Sequence, residues 1–231
     1  MSGCMRVGIA ATASPDGSRL VRFTALDLTI VRLDHGPVIE QGPRRREIDQ
    51  VASELFHASG YAATSVRDIA KALEIQAASM YAHVASKEDV LWSIVDGAAT
   101  AFERAADAAE ADPADPIDRL AALVEAHVEV VTADPERSSV FITEWRHLGG
   151  DRRDRIAARR DGYEARFRRA IDDGIAVGAF RSTDAALAAT YILTALNGIA
   201  SWFRPDGRLS PDRIADHYVE LSLGSLTEAP R

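Results

Sequence analysis

The sequence is poor in the features that mark several common classes of protein. Its single cysteine, Cys4, rules out an intrachain disulfide and suits a reducing cytoplasm. No uncharged apolar run approaches the roughly 20 residues of a membrane helix, and no membrane partner is expected. The first 20 residues lack the long apolar stretch of a secretory signal. There is no nucleophile elbow, phosphate-binding loop or dinucleotide glycine pattern. His57, His83, His127, His147 and His217 do not stand at metal-ligand spacing with one another or with Cys4. Catalysis, a cofactor and a metal are therefore not expected. A basic excess is also missing: the net charge is -8. Taken alone, that argues against a nucleic-acid partner.

What is present is helical. The 231 residues suit one to two domains, and 47% apolar with 27% charged residues is ordinary for a globular chain. Pro and Gly are sparse between Glu47 and Leu226. An all-α fold of about nine helices is predicted. Residues 1–43 differ, with Gly, Pro, Ser and Thr around one β-prone stretch, Leu20–Leu33. Three readings fit them: a disordered or loosely attached arm, a start placed too far upstream, or a short hairpin or DNA-contacting arm.

From Arg45 the apolar residues Ile48, Val51, Ala52, Leu55 and Phe56 form one helical stripe that stops at Ser59-Gly60. Thr64 or Ser65 caps a second helix, Val66–Leu73, and Ser65 with Asp68 approximates a capping box. Glu74-Ile75 makes a turn into a third helix, Gln76–Val84, in which Met80, Tyr81 and Val84 are inward or half-buried. Ser86 caps a fourth helix whose first turn holds Glu88 and Asp89. Longer helices follow: Lys87–Ala111, Ile117–Ala133, Ser138–Leu148, Arg152–Val177, Ala185–Phe203 and a last one opened by Ser210-Pro211.

Two short helices joined by a tight turn behind a longer one make a helix-turn-helix unit, placed in residues 44–91. Its second member would present Gln76, Ala77, Ala78 and Ser79 to base edges. Gln pairs with adenine, Ser serves several bases, and Ala meets a thymine methyl. Tyr81, His83 and Lys87 are within reach of phosphate from the other end. The same periodicity equally describes an ordinary packing helix. Residues 44–92 carry six bases and seven acids, yet Ile75–Lys87 holds no acid. Arg67 either meets DNA or pairs with a nearby acid.

The stretch Glu47–Val95 resembles the N-terminal domain of the TetR/AcrR family of repressors. The likeness rests on A-x-x-L-F-x-x-x-G-Y-x-x-T-S from Ala52, R-D-I-A-x-x-L from Arg67, and M-Y-x-H-V-x-S-K-E-D-V-L from Met80. It implies phosphate contacts for Thr64, Tyr81, His83 and Lys87, and base contacts for the early recognition helix and Ala82. Together with Ser65, Arg67 and Gln76–Ser79 these are the expected DNA-binding residues. The chain departs from the family pattern at Glu74, where Gly is usual, and at Val84, where Phe is more frequent.

Residues 92–231 are read as a ligand-binding and dimerising body. Most of its bulky residues are read as core. Phe141, Trp145, Arg146, Tyr163, Phe167, Asn197 and Trp202 are the candidates to line a ligand cavity. Phe141–Leu226 resembles the C-terminal domain of TetR-type regulators of lipid and steroid catabolism. The similar stretches are E-W-R at Glu144–Arg146, R-D-x-Y-E-A-R-F at Arg160–Phe167 and L-N-G-I-x-x-W-F-R-P-D-G-R-L-S-P from Leu196. That likeness implies a small, largely apolar effector, such as an acyl-CoA whose phosphates meet Arg146, Arg159, Arg160 or Arg166. Small residues along Ala185–Phe203 suit close helix approach in a homodimer, whose two-fold symmetry would match a palindromic double-stranded DNA operator. The rival reading, from the acidic balance, is a helical dimerisation protein that does not bind DNA.

Overall fold

Local capping chemistry sets most of the helix starts in the computed structural model, which describes residues 42–111 and 115–227. Ser65, Ser86, Asp115, Asp134, Asp184 and Ser210 each accept a hydrogen bond from a backbone N–H in the first turn of the helix that follows. Pro116, Pro135 and Pro211 open three of those helices, and Pro43 opens one without a side-chain cap, at a position where a missing N–H costs nothing. The expectations for residues 1–41 lie outside the described residues.

The described residues form nine α-helices and no strand. They are α1 Pro43–Ser59, α2 Val66–Ala72, α3 Ala77–Met80, α4 Lys87–Ala109, α5 Pro116–Ala133, α6 Pro135–Thr143, α7 Gly150–Ala176, α8 Ala185–Trp202 and α9 Pro211–Leu226. A short 3₁₀ turn, Trp145–His147, lies between α6 and α7. The all-α expectation holds, with three local differences. The first helix begins at Pro43, the last residue of the expected arm. The third is one turn of helix, followed by irregular turns through His83. The expected helix Ser138–Leu148 starts earlier, because Asp134 and Pro135 open it, and gives way to the 3₁₀ turn.

Helix α4 packs against α1, α5, α6 and α7 and so belongs to both halves of the molecule. Its buried face runs from Val90, Leu91 and Ile94 near the small helices to Phe102 and Ala106 in the body. The body core adds Leu120, Leu123, Ile156, Phe167, Ile171, Leu196 and Ile199. Gly174 of α7 is buried against Phe180, where an added Cβ would lie 2.1 Å from the ring.

Helix α8 is nearer to membrane length than the sequence reading allowed. Its 18 residues carry no charge, and about a third of them are buried in the bundle. Its inner face, with Ala189, Ile192, Leu196 and Ile199, is core. Its outer face leaves Leu187, Tyr191 and Trp202 exposed.

Candidate nucleic-acid interface and ligand cavity

Helices α1 to α3 form a small reading head around Ile48, Ala52, Phe56, Ile69, Met80 and Val84. Its first corner uses Gly60 at φ 83 and ψ 150, a region open essentially to glycine alone; this is a positive φ, but not the left-handed helical cap. Ser65 and Asp68 then complete a reciprocal capping box, and the bonds from Ser65 hold the Asp68 carboxyl below its ordinary value. The second corner places Glu74 at φ 55, the one non-glycine residue at positive φ among the described residues. The turn therefore keeps the geometry that glycine normally serves, at a cost of about 1 kcal/mol.

That corner presents the expected DNA-binding residues in two groups. Ser65, Arg67, Gln76, Ala78, Ser79, Tyr81, Ala82 and His83 are exposed, and Ala77 is half-buried. Tyr81, expected to be at least half-buried, is instead turned outward with 60% of its surface free. Thr64 and Lys87 face inward. The Thr64 hydroxyl donates to the Gly60 carbonyl at 2.9 Å. The Lys87 ammonium donates to the Tyr61 and Thr64 carbonyls at 2.9 and 2.8 Å and lies 4.1 Å from the centre of the Tyr61 ring. Lys87 thus clasps the α1–α2 corner with two of its three donors.

Two acids, Asp49 and Asp89, are engaged on the inner side of the head, while Glu47, Glu54, Asp68 and Glu74 are exposed. Asp49 is buried, and burial raises its carboxyl above the ordinary value against the bonds from Ser93 and Arg45. Desolvation raises the Asp89 carboxyl, but Arg45 at 3.0 Å, the Ala85 N–H and Arg152 of α7 at 3.3 Å together hold it below its ordinary value. An acidic chain can still offer DNA an outer face around residues 75–87 that carries no carboxylate of its own.

Head and body meet at the 3₁₀ turn. Tyr61 stacks on His147 with ring centres 5.2 Å apart, and its N–H donates to the Glu144 carboxylate at 3.3 Å. The Gly149 N–H donates to Glu88 on α4 at 3.2 Å.

The body holds a cavity of about 240 Å³ lined by Phe102 of α4, His127 of α5, Phe141 of α6, Arg160, Asp161, Tyr163 and Glu164 of α7, and Thr190, Leu193, Thr194 and Asn197 of α8. Phe102 and His127 are buried and form its floor; Asp161, Thr190 and Thr194 are exposed and mark its mouth. Of the residues expected there, Phe141, Tyr163 and Asn197 line it. Phe167 is fully buried behind Tyr163, with ring centres 5.6 Å apart. Trp145 and Arg146 lie one layer away: the Arg160 guanidinium sits 5.2 Å from the centre of the Trp145 ring and 5.0 Å from that of Phe141. Trp202 is at the far end of α8, beside a smaller hollow with Phe203, Arg204 and Leu209.

The four arginines weighed for an anionic ligand separate cleanly. Arg159 is bound to Asp96 and Glu103, and Arg166 to Asp107 and Glu110. Arg160 donates to the Phe141 carbonyl, and neither it nor Arg146 forms an ion pair among the described residues. Sequence reasoning passed over Phe102, His127, Thr190, Leu193 and Thr194. His127 is the most consequential omission, because its Nδ1 lies 3.1 Å from the Tyr163 hydroxyl while its buried Nε2 has no partner.

A helix-turn-helix head joined through one long helix to a helical body with an internal cavity defines a DNA-binding regulator of transcription. Residues 48–94 match the family described as bacterial regulatory proteins, tetR family, and residues 113–226 match the tetracyclin repressor-like C-terminal domain. The chain belongs to the TetR family. The HTH-type transcriptional repressor KstR2 of Rhodococcus jostii is 29% identical to it over 185 residues, spanning 79% of this chain and 91% of the relative. The structure of KstR2 of Mycobacterium tuberculosis, a ketosteroid transcriptional regulator, superposes with a TM-score of 0.77 at 27% identity, over 81% of this chain and 97% of that one. AibR, solved in complex with isovaleryl coenzyme A and operator DNA, superposes with a TM-score of 0.69 at 30% identity, over 77% and 97%.

Proposed function

We propose that this regulator is a cytoplasmic homodimeric repressor that holds a palindromic operator through residues 76–83 and is released by a small acyl-CoA. The observation that carries the reading is the course of α4. Its first residue, Lys87, clasps the reading head, and Phe102, four turns on, forms the cavity floor. Whatever fills the cavity therefore presses on the helix that sets the head's position. The neighbour AibR, bound to both an acyl-CoA and operator DNA, supports this pairing of ligands. Arg160 and Arg146, free of ion pairs among the described residues, are the cations available for the phosphates of coenzyme A.

The dimer is supported by the outer face of α8. Leu187, Tyr191, Ala195, Gly198 and Trp202 follow helical spacing along one side, and Leu221 of α9 is 67% exposed. Large apolar residues left in water, most of them on the uncharged α8, mark an interface. Two such heads read half-sites one turn of DNA apart, about 34–36 Å. Ligand that favours another separation lowers DNA affinity, and DNA lowers ligand affinity by the same factor.

The test is a mobility shift of the full chain on DNA from its own upstream region, titrated with isovaleryl-CoA and longer acyl-CoAs. A salt-dependent complex that dissociates with at least one of them is expected. A complex indifferent to every acyl-CoA rejects the effector, and the absence of any complex rejects the reading for that operator.

A further inference from the structure

We propose that His127, held by Tyr163, recognises a neutral carbonyl oxygen of the effector at the floor of the cavity; this rests on reading the cavity as the effector site. The imidazole is buried and lines the cavity beside Phe102, with ring centres 4.8 Å apart. Its Nδ1 and the Tyr163 hydroxyl are 3.1 Å apart, whereas Nε2 has no partner. A phenol is a stronger donor than a neutral imidazole N–H, and an imidazole nitrogen is a stronger acceptor than a phenol oxygen. The Tyr163 hydroxyl therefore donates to Nδ1, which leaves the proton on Nε2. The result is a buried N–H donor on a residue that lines the space where a ligand sits. An occupant must offer an acceptor there or leave the donor bare, and a bare donor carries its full desolvation cost.

The charges around the site specify what kind of acceptor. Burial and the nearby Arg160 cation keep the imidazole neutral, with its pKa pushed down to about 3. Glu164 and Asp161, the acids that line the cavity, lie on α7 with Arg160. An anionic group on the ligand is better met by Arg160 than by a neutral imidazole between aromatic rings. The floor suits an uncharged carbonyl. Such an oxygen comes either from the thioester or from a keto group on the acyl body, and about 240 Å³ has room for a short acyl chain carrying one.

The experiment measures dissociation constants of the full-length dimer by calorimetry for two matched pairs. One pair is isovaleryl-CoA and its thioether analogue, isopentyl-CoA. The other is 5-oxohexanoyl-CoA and hexanoyl-CoA. The carbonyl member of at least one pair is expected to bind about tenfold tighter, and which pair responds identifies the oxygen. His127→Phe is expected to bring that preference below about twofold, while His127→Gln, which keeps a donor, retains part of it. Equal affinities within both pairs, or a preference untouched in His127→Phe, overturn the proposal. The tautomer is read separately from the nitrogen shifts of ¹⁵N-histidine in the unliganded protein, with Tyr163→Phe to assign and perturb the signal. A proton on Nε2 is expected, and a proton on Nδ1 overturns the proposal. If no CoA compound binds, the acyl-CoA reading falls and the tautomer alone decides the role of His127.

Discussion

The head and the body use polar groups in opposite ways. In the head, polar groups are matched inside small corners: Thr64 to Gly60, Ser65 to Asp68, Lys87 to two carbonyls, Asp49 to Ser93 and Arg45. Among the described residues, the buried side-chain atoms without a hydrogen bond, His127 Nε2, Trp145 Nε1 and Arg137 Nε, all belong to the body, although Arg137 Nε still lies 3.3 Å from the Asp134 carboxylate. The lesson is thermodynamic. A unit whose hydrogen bonds are complete holds one shape, whereas a unit with a bare donor on a cavity-lining residue is completed by something else.

Breaking the body's packing should have the largest effect. Gly174→Val drives a side chain into the Phe180 ring and is expected to cost about 3 kcal/mol, read as a lower urea midpoint. Next comes acid. Because His127 stays neutral when folded, the unfolded chain takes up a proton that the folded chain refuses. Stability is then lost as pH falls below about 6.5, and down to about 3. At pH 5 the loss is about 2 kcal/mol relative to pH 7, and His127→Gln should flatten it. An unchanged slope in that variant breaks the contrast between a matched head and an unmatched body.

On the head, Gln76→Ala should leave the melting temperature alone and change the ranking of operator variants by about 1–2 kcal/mol at one base pair, measured by competition binding. Glu74→Gly relieves the positive φ and should stabilise the head by about 1 kcal/mol, seen as a higher melting temperature. The smallest effect belongs to Asp68. Its carboxyl is held low by Ser65, so its contribution is present above about pH 4 and fades as pH falls further; Asp68→Asn should remove that dependence.

The parts of this molecule that are legible in its sequence are those fixed by bonds a few residues long. Ser65 with Asp68 and Ser86 with Asp89 are caps within reach of sequence spacing. The motif from Met80 to Leu91 reveals the head because its residue order is specific. The end of α6 was not legible, since Glu144 turns to reach Tyr61, 83 residues away in the chain. The cavity was legible only in part, through Phe141, Tyr163 and Asn197, because its lining comes from five helices between Phe102 and Asn197. In sequence, His127 is a lone histidine on an apolar helix. Only the neighbouring Tyr163 and the bare Nε2 set it apart. The apolar character of Trp202 gave no sign that it stands at the exposed end of α8 rather than in the cavity.

The clasp made by Lys87 has a mechanical corollary. Since it binds the α1–α2 corner to the first residue of α4, a tilt of that helix carries the corner along instead of bending it. From Phe102 to Lys87 the helix measures about 22 Å. A pivot of about 8° at the Phe102 end displaces the Lys87 end by about 3 Å, close to the 3.4 Å step between stacked bases. In the dimer proposed above, a movement too small to disturb the core would thus put one half out of register with its groove by nearly a full base pair.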